Sequence, residues 1–199
     1  MASRGDLSFY RDLLYKPVID RDGRRVGALQ DLAADSPAAP AIQRMVIRPR
    51  GPGRGPGPLI LSWQAVESVE GGRIRLRQAA AELTSQPLAS GAILLRRHLM
   101  DQQVVDCRGA KLQRVNDLTM GLDNGDLLLC GMDTGARGFL TRLGYRWGLL
   151  ALARPLYRRL PRHEIAWALV DRVEPARGHI RLRLSRDEVR SALRRPEAA

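Results

Sequence analysis

The sequence predicts a mainly β fold: two small antiparallel β-barrels in tandem, with a short helical insertion in the second and a helix near the C-terminus. Three observations lead there. The string IRLR occurs at Ile74–Arg77 and again at Ile180–Arg183, inside flanks that also match. Each half carries an Asp/Gly turn between short apolar runs. Hydrophobic residues make up 44% of the chain but aromatic ones only 5%, so the core must rest on aliphatic side chains.

The match extends well beyond four residues. PVIDRDGRRVGALQDL (Pro17–Leu32) aligns with QVVDCRGAKLQRVNDL (Gln103–Leu118) at a constant offset of 86, without a gap. Val18 meets Val104, Asp20 meets Asp106, Gly23 meets Gly109, Asp31 meets Asp117 and Leu32 meets Leu118. LSWQAVESVEGGRIRLR (Leu61–Arg77) aligns with IAWALVDRVEPARGHIRLR (Ile165–Arg183), Trp63 meeting Trp167 and Glu70 meeting Glu174. The offset here is 104, and becomes 106 after two extra residues in the last turn. The second copy therefore contains an insertion between its two matching halves. A unit of this kind is a duplication, and the fold should repeat with it.

Each element follows in order. VIDRDGRRVG reads as a strand, a turn and a second strand, with Gly23 and Gly109 where a left-handed residue is wanted. IQRMVIR and DLLLCGM are the next strands, rich in residues that suit a pleated surface. LILSW and EIAW follow, each running into one turn (Gln64–Val66, Ala168–Val170). IRLR closes each unit; Ile74 and Leu76 face one side of the strand, Arg75 and Arg77 the other. SRDEVRSALRRPEAA starts a helix, Ser185 and Glu188 being spaced for a capping box, and Pro196 stops it.

The pattern V-x-D-x-x-G, a spacer to D-L, then a strand, a Trp-containing turn and a final strand resembles the PRC-barrel. That domain is shared by the photosynthetic reaction-centre H subunit and the ribosome-maturation protein RimM. The run ILLRRHLMDQQVVDCRGAKLQRVNDL (Ile93–Leu118) resembles the second PRC-type segment of bacterial magnesium-transporter-like proteins, where it precedes an MgtE-type helical domain and CBS domains. GMDTGARGFLTRLG (Gly131–Gly144) and LPRHEIAWALVDRVEP (Leu160–Pro175) extend the resemblance over most of the chain. It implies a first PRC-type barrel over residues 1–85 and a second over 86–185, with a helical insertion at 136–162 and a helix and tail at 186–199. It also implies a non-enzymatic adaptor or regulatory module, beside a divalent-cation transporter of the magnesium type or on another complex at the inner membrane face. Cation gating and nucleotide sensing are not implied, because only the barrel pair has counterparts here.

Two irregular segments are strongly basic. RPRGPGRGPGP (Arg48–Pro58) alternates Pro and Gly and reads as a hairpin loop; no acidic residue occurs from Ser36 to Val66. The insertion, Ala136–His163, has seven Arg and no acid. Phe139, Leu143, Trp147 and Leu150 recur at helical spacing, which predicts a helix packed across one barrel mouth. Its basic face, with Trp and Tyr, also suits an anionic lipid interface. The partner-binding candidates are therefore Arg142, Tyr145, Arg146, Trp147, Arg158 and Arg159 in the insertion and Arg50 and Arg54 in the loop. The outward arginines of the closing strands, Arg75, Arg77, Arg181 and Arg183, complete the set.

The balance of 33 basic against 21 acidic residues gives a net charge of +12. Such a chain favours an acidic protein, RNA or acidic lipid as its partner. RNA binding usually adds aromatic stacking platforms, and Phe9, Tyr10 and Tyr15 do not interleave with the basic strands.

No catalytic, cofactor or metal site is expected. His98, His163 and His179 lie far apart, with no acid or Cys at ligand spacing. HEIAW opens like a zinc-peptidase motif, but Trp167 stands where the second His belongs. The paired aspartates, Asp20 and Asp31 with Asp106 and Asp117, read as turn residues that accept backbone N–H bonds. Cys107 and Cys130 are isolated thiols, expected to be reduced and structural in a cytoplasmic protein. No apolar run approaches the length of a signal peptide or a membrane span, so the expectation is a soluble chain.

Overall fold

A computed structural model describes residues 7–35, 41–50, 57–135, 163–174, 177–185 and 187–189. The fold is mainly β, with three sheets, none of them closed into a barrel among the described residues. The chain forms two compact units. The first comprises Met1–Arg97 and Met120–Leu129, the second His98–Thr119 and Cys130–Ala199. The boundary drawn from sequence at residue 85 thus falls inside the first unit.

In the first unit, β1 (Leu7–Ser8) leads into one helical turn, Phe9–Leu13. Ser8 Oγ accepts the N–H of Arg11 at 3.0 Å, satisfying a donor that the turn leaves open. β2 (Pro17–Ile19) and β3 (Arg25–Ala34) form the expected hairpin. Gly23 takes φ 82° at its turn, a conformation that a side chain would strain. β4 (Arg44–Pro49), β5 (Leu59–Ser62), a 3-10 turn at Trp63–Ala65, β6 (Val66–Glu70) and β7 (Arg73–Leu76) follow. The sheet order is β5-β4-β3-β2-β7-β6. β8 (Ile93–Leu94) adds to the end of β3 through Ala33 and Ala34.

The short helix α1 (Leu95–His98) comes next, and then the strands of the second copy: β9 (Gln103–Val105), β10 (Lys111–Arg114), β11 (Asp117–Asp123) and β12 (Asp126–Asp133). β13 (Glu164–Ala166), a 3-10 turn at Trp167–Leu169, β14 (Val170–Glu174) and β15 (His179–Leu182) complete it. The second unit's sheet runs β10-β9-β15-β14. A third sheet is ordered β1-β11-β12-β13, and the tip of its β11–β12 hairpin belongs to the first unit.

The duplicated sequence is a duplicated set of hydrogen bonds. IRLR pairs in parallel with the first strand of its own copy, Ile74 opposite Val18 and Ile180 opposite Val104. It pairs antiparallel with the preceding strand, Val69 opposite Ile74 and Val173 opposite Ile180. The same irregularity recurs, between Val66 and Ser68 and between Val170 and Arg172. The turn bonds recur too: Gly23 N–H to Asp20 O at 3.1 Å, Gly109 N–H to Asp106 O at 3.0 Å. Arg77 N–H reaches Ala65 O, and Arg183 N–H reaches Leu169 O, both at 2.9 Å. Alternation along IRLR places Ile74, Leu76, Ile180 and Leu182 in fully buried positions. Each such burial contributes about 1.5–3 kcal/mol.

The copies differ in one strand. β3 is continuous through a bulge between Leu29 and Asp31, whereas the equivalent stretch breaks into β10 and β11 around Val115 and Asn116. There Asn116 donates its N–H to Asp133 O at 2.8 Å and its side-chain amide to Gly135 O at 3.0 Å. These bonds divert the backbone from a continuous ladder. The insertion at 136–162 lies outside the described residues. Of the C-terminal helix, residues 187–189 are helical, and Ser185 and Glu188 form the expected capping box, Ser185 N–H to Glu188 Oε2 at 2.8 Å.

Candidate anion-binding surface

The repeated carboxylates divide into two kinds. Asp20 and Asp106 are turn residues, as expected. Asp20 accepts N–H bonds from Arg24 at 2.7 Å and from Ala80 at 3.0 Å; Asp106 accepts from Arg108 and Ala110, each at 2.9 Å. Burial pushes the Asp20 carboxyl up, but its backbone donors together outweigh that and hold it below the usual value.

Asp31 corrects the sequence reading. It is no hairpin-turn residue but a buried strand residue at the β3 bulge, 4% exposed. Its carboxylate accepts the N–H groups of Leu32 at 2.8 Å, Arg96 at 2.7 Å and Arg97 at 3.2 Å. It therefore closes off donors in the first turn of α1. Burial dominates its titration and, against these donors and the nearby Arg96 charge, raises its pKa to about 6. Asp117 is the counterpart in β11, 7% exposed, and accepts the N–H of Leu118 at 2.7 Å.

The arginine candidates separate in the same way. Arg75 is committed inside the first unit, its Nε 3.0 Å from Glu67 Oε2 and its Nη2 donating to Arg21 O at 2.8 Å. Arg181 is partly buried, with an Nε that has no acceptor among the described residues. Arg183 lies 3.9 Å from Asp171, at the edge of ion-pair range. Arg50 and Arg77 are exposed and make no ion pair with any described residue. Arg54, Arg142, Tyr145, Arg146, Trp147, Arg158 and Arg159 lie outside the described residues.

A cleft that the sequence did not reveal sits in the first unit. Tyr15, Ala28, Leu29, Gln30, Arg48 and Arg96 line a space of about 150 Å³. β3 contributes Ala28, Leu29 and Gln30; β4 contributes Arg48, which pairs opposite Ala28; α1 contributes Arg96. Arg96 Nη1 donates to Tyr15 Oη at 3.4 Å. Tyr15 holds φ 64°, a left-handed conformation that a bulky residue rarely adopts. One sequence signal pointed to it: at the offset of 86, Tyr15 aligns with Asp101, whose φ is 66°. Asp enters that region far more readily than Tyr.

The remaining chemistry is sparse. Among the described residues no three His, Cys, Asp or Glu side chains cluster to hold a metal. Cys107 and Cys130 are exposed and not in a disulfide; the reading of both as structural thiols gives way to two surface ones. No described helix is long and apolar enough to cross a membrane. No protein-family model matches the chain, and no curated protein matches it.

Proposed function

We propose that the chain is a tandem pair of PRC-type barrel modules acting as a non-enzymatic adaptor or regulatory binding module. Its partner is an acidic protein surface, of the kind found on a magnesium-type divalent-cation transporter or another complex at the cytoplasmic face of the membrane. One contrast carries this reading. Arg75 spends its charge on Glu67, whereas Arg50 and Arg77 are exposed and have no such partner among the described residues. Paired arginines hold the module together; unpaired ones are available to carboxylates, which their planar fork engages in bidentate fashion. The repeated aspartates, meanwhile, spend their hydrogen-bonding capacity on backbone N–H groups, which is architecture rather than acid–base chemistry.

The net charge of +12 favours a second reading, a RimM-like association with ribosomal RNA. Fluorescence anisotropy separates the two, with an oligo-glutamate peptide and a structured RNA hairpin as probes across a salt series. Peptide binding that weakens in Arg50→Gln and Arg77→Gln supports the adaptor. RNA affinity that falls steeply with salt, with no peptide binding, replaces it by the RNA reading.

A further inference from the structure

We propose that the cleft lined by Tyr15, Gln30, Arg48 and Arg96 is a binding site for a phosphate monoester, a role separate from that of the exposed Arg50 and Arg77. Size is the first argument. At about 150 Å³ the space is small, large enough for one phosphate group and too small for an extended ligand such as a nucleotide.

Donor chemistry is the second. The polar residues that line the space are two arginines, a tyrosine and a glutamine, and no acidic residue is among them. Neither Arg48 nor Arg96 forms an ion pair with a described residue. The one acid whose titration Arg96 influences, Asp31, has its oxygens turned to the N–H groups of Leu32, Arg96 and Arg97. Both arginines are exposed and border the same small space, and a dianionic phosphate compensates the charge of both.

The third argument is strain. Tyr15 is held left-handed by its own N–H to Leu29 O at 2.9 Å and by Leu29 N–H to Lys16 O at 3.0 Å. The same backbone in the second copy carries Asp101, so the fold does not require Tyr here. A bulky residue in this conformation costs on the order of 1 kcal/mol, which the phenol recovers by presenting its hydroxyl to a bound oxyanion. Tyr15 is 44% exposed, so burial in the core does not account for it.

The test uses the full chain, titrated calorimetrically with inorganic phosphate and with glycerol phosphate at constant ionic strength, while the arginine Nε–H resonances are followed by NMR. Saturable binding is expected, with the Arg48 and Arg96 resonances moving. Arg48→Gln and Arg96→Gln should each weaken it about tenfold, as loss of a charge-assisted bidentate donor does; Tyr15→Phe should weaken it less. Arg114→Gln, on β10, should change nothing. A parallel arm measures sedimentation with phosphatidylcholine vesicles carrying phosphatidic acid or, at equal charge, phosphatidylglycerol. Selective binding to phosphatidic acid that is lost in Arg48→Gln assigns the site to a lipid headgroup; binding in solution alone assigns it to a soluble phosphate ester. No saturation in either arm, or affinities unchanged in Arg48→Gln and Arg96→Gln, overturns the proposal.

Discussion

Asp31 Oδ1 accepts the backbone N–H of Arg96 at 2.7 Å across 65 residues of chain. A single carboxylate thereby joins β3 to the first turn of α1 within the first unit. Arg96 also brings its guanidinium to the cleft beside Tyr15, so the same contact positions a candidate binding residue.

The first prediction follows from this buried acid. With its folded pKa near 6 and its ordinary value at 3.8, Asp31 retains a proton in the folded state that the unfolded chain has released. Its contribution is therefore fully present below pH 3.8 and is lost as pH rises through about 6. Two units correspond to about 3 kcal/mol, taken as an order of magnitude. Denaturant unfolding between pH 4 and pH 7 should show the wild type losing stability relative to Asp31→Asn. Parallel curves would contradict it.

Asp20 titrates with the opposite sign. Its folded pKa lies below the ordinary value, so its stabilisation is present above pH 3.8 and lost as pH falls through the folded value. Asp20→Ala leaves the N–H groups of Arg24 and Ala80 without their acceptor, and should cost about 1–3 kcal/mol at pH 7. Asp106→Ala, which strands the N–H groups of Arg108 and Ala110, should cost a similar amount. Unfolding midpoints of the two variants check this; a negligible loss in either would break the equivalence of the two turns.

Gly27 should not tolerate a side chain. A Cβ there would collide with the Arg48 carbonyl oxygen and come within 2.7 Å of Ile47 Cγ2. Neither is the free end of a flexible chain, so β3 and β4 would have to separate. Gly27→Ala should destabilise the protein by about 1–3 kcal/mol, as overpacking of a close contact does. The equivalent residue in the second copy, Gln113, already carries a side chain and is exposed. A Gln113→Ala variant loses the hydrogen bond that Thr134 Oγ1 donates to Gln113 Oε1 and creates no clash, so it should cost only about 0.5–1.5 kcal/mol, and the pair of melting temperatures decides the matter.

Tyr15 offers a prediction in the other direction. Asn accepts the left-handed region that φ 64° imposes, so Tyr15→Asn should leave stability unchanged or raise it by about 0.5–1 kcal/mol. The same variant should lose phosphate affinity. A clear loss of stability would show that the ring is held for packing rather than for its hydroxyl.

The amino-acid sequence by itself determined the duplication, the Asp/Gly hairpins at Gly23 and Gly109, the tryptophan turns, and the burial of Ile74 and Leu76 against outward Arg75 and Arg77. These are short-range signals, written in spacing, alternation and the backbone tolerance of glycine, and they hold wherever the chain goes. The tertiary structure alone decided which arginine is consumed, since Glu67 pairs with Arg75 and no described carboxylate pairs with Arg77. It alone turned Asp31 from a turn residue into the acceptor for α1, and gathered Tyr15, Gln30, Arg48 and Arg96 around one cleft. Those residues come from four segments of the chain, and periodicity carries no information about which side chains distant strands will bring together.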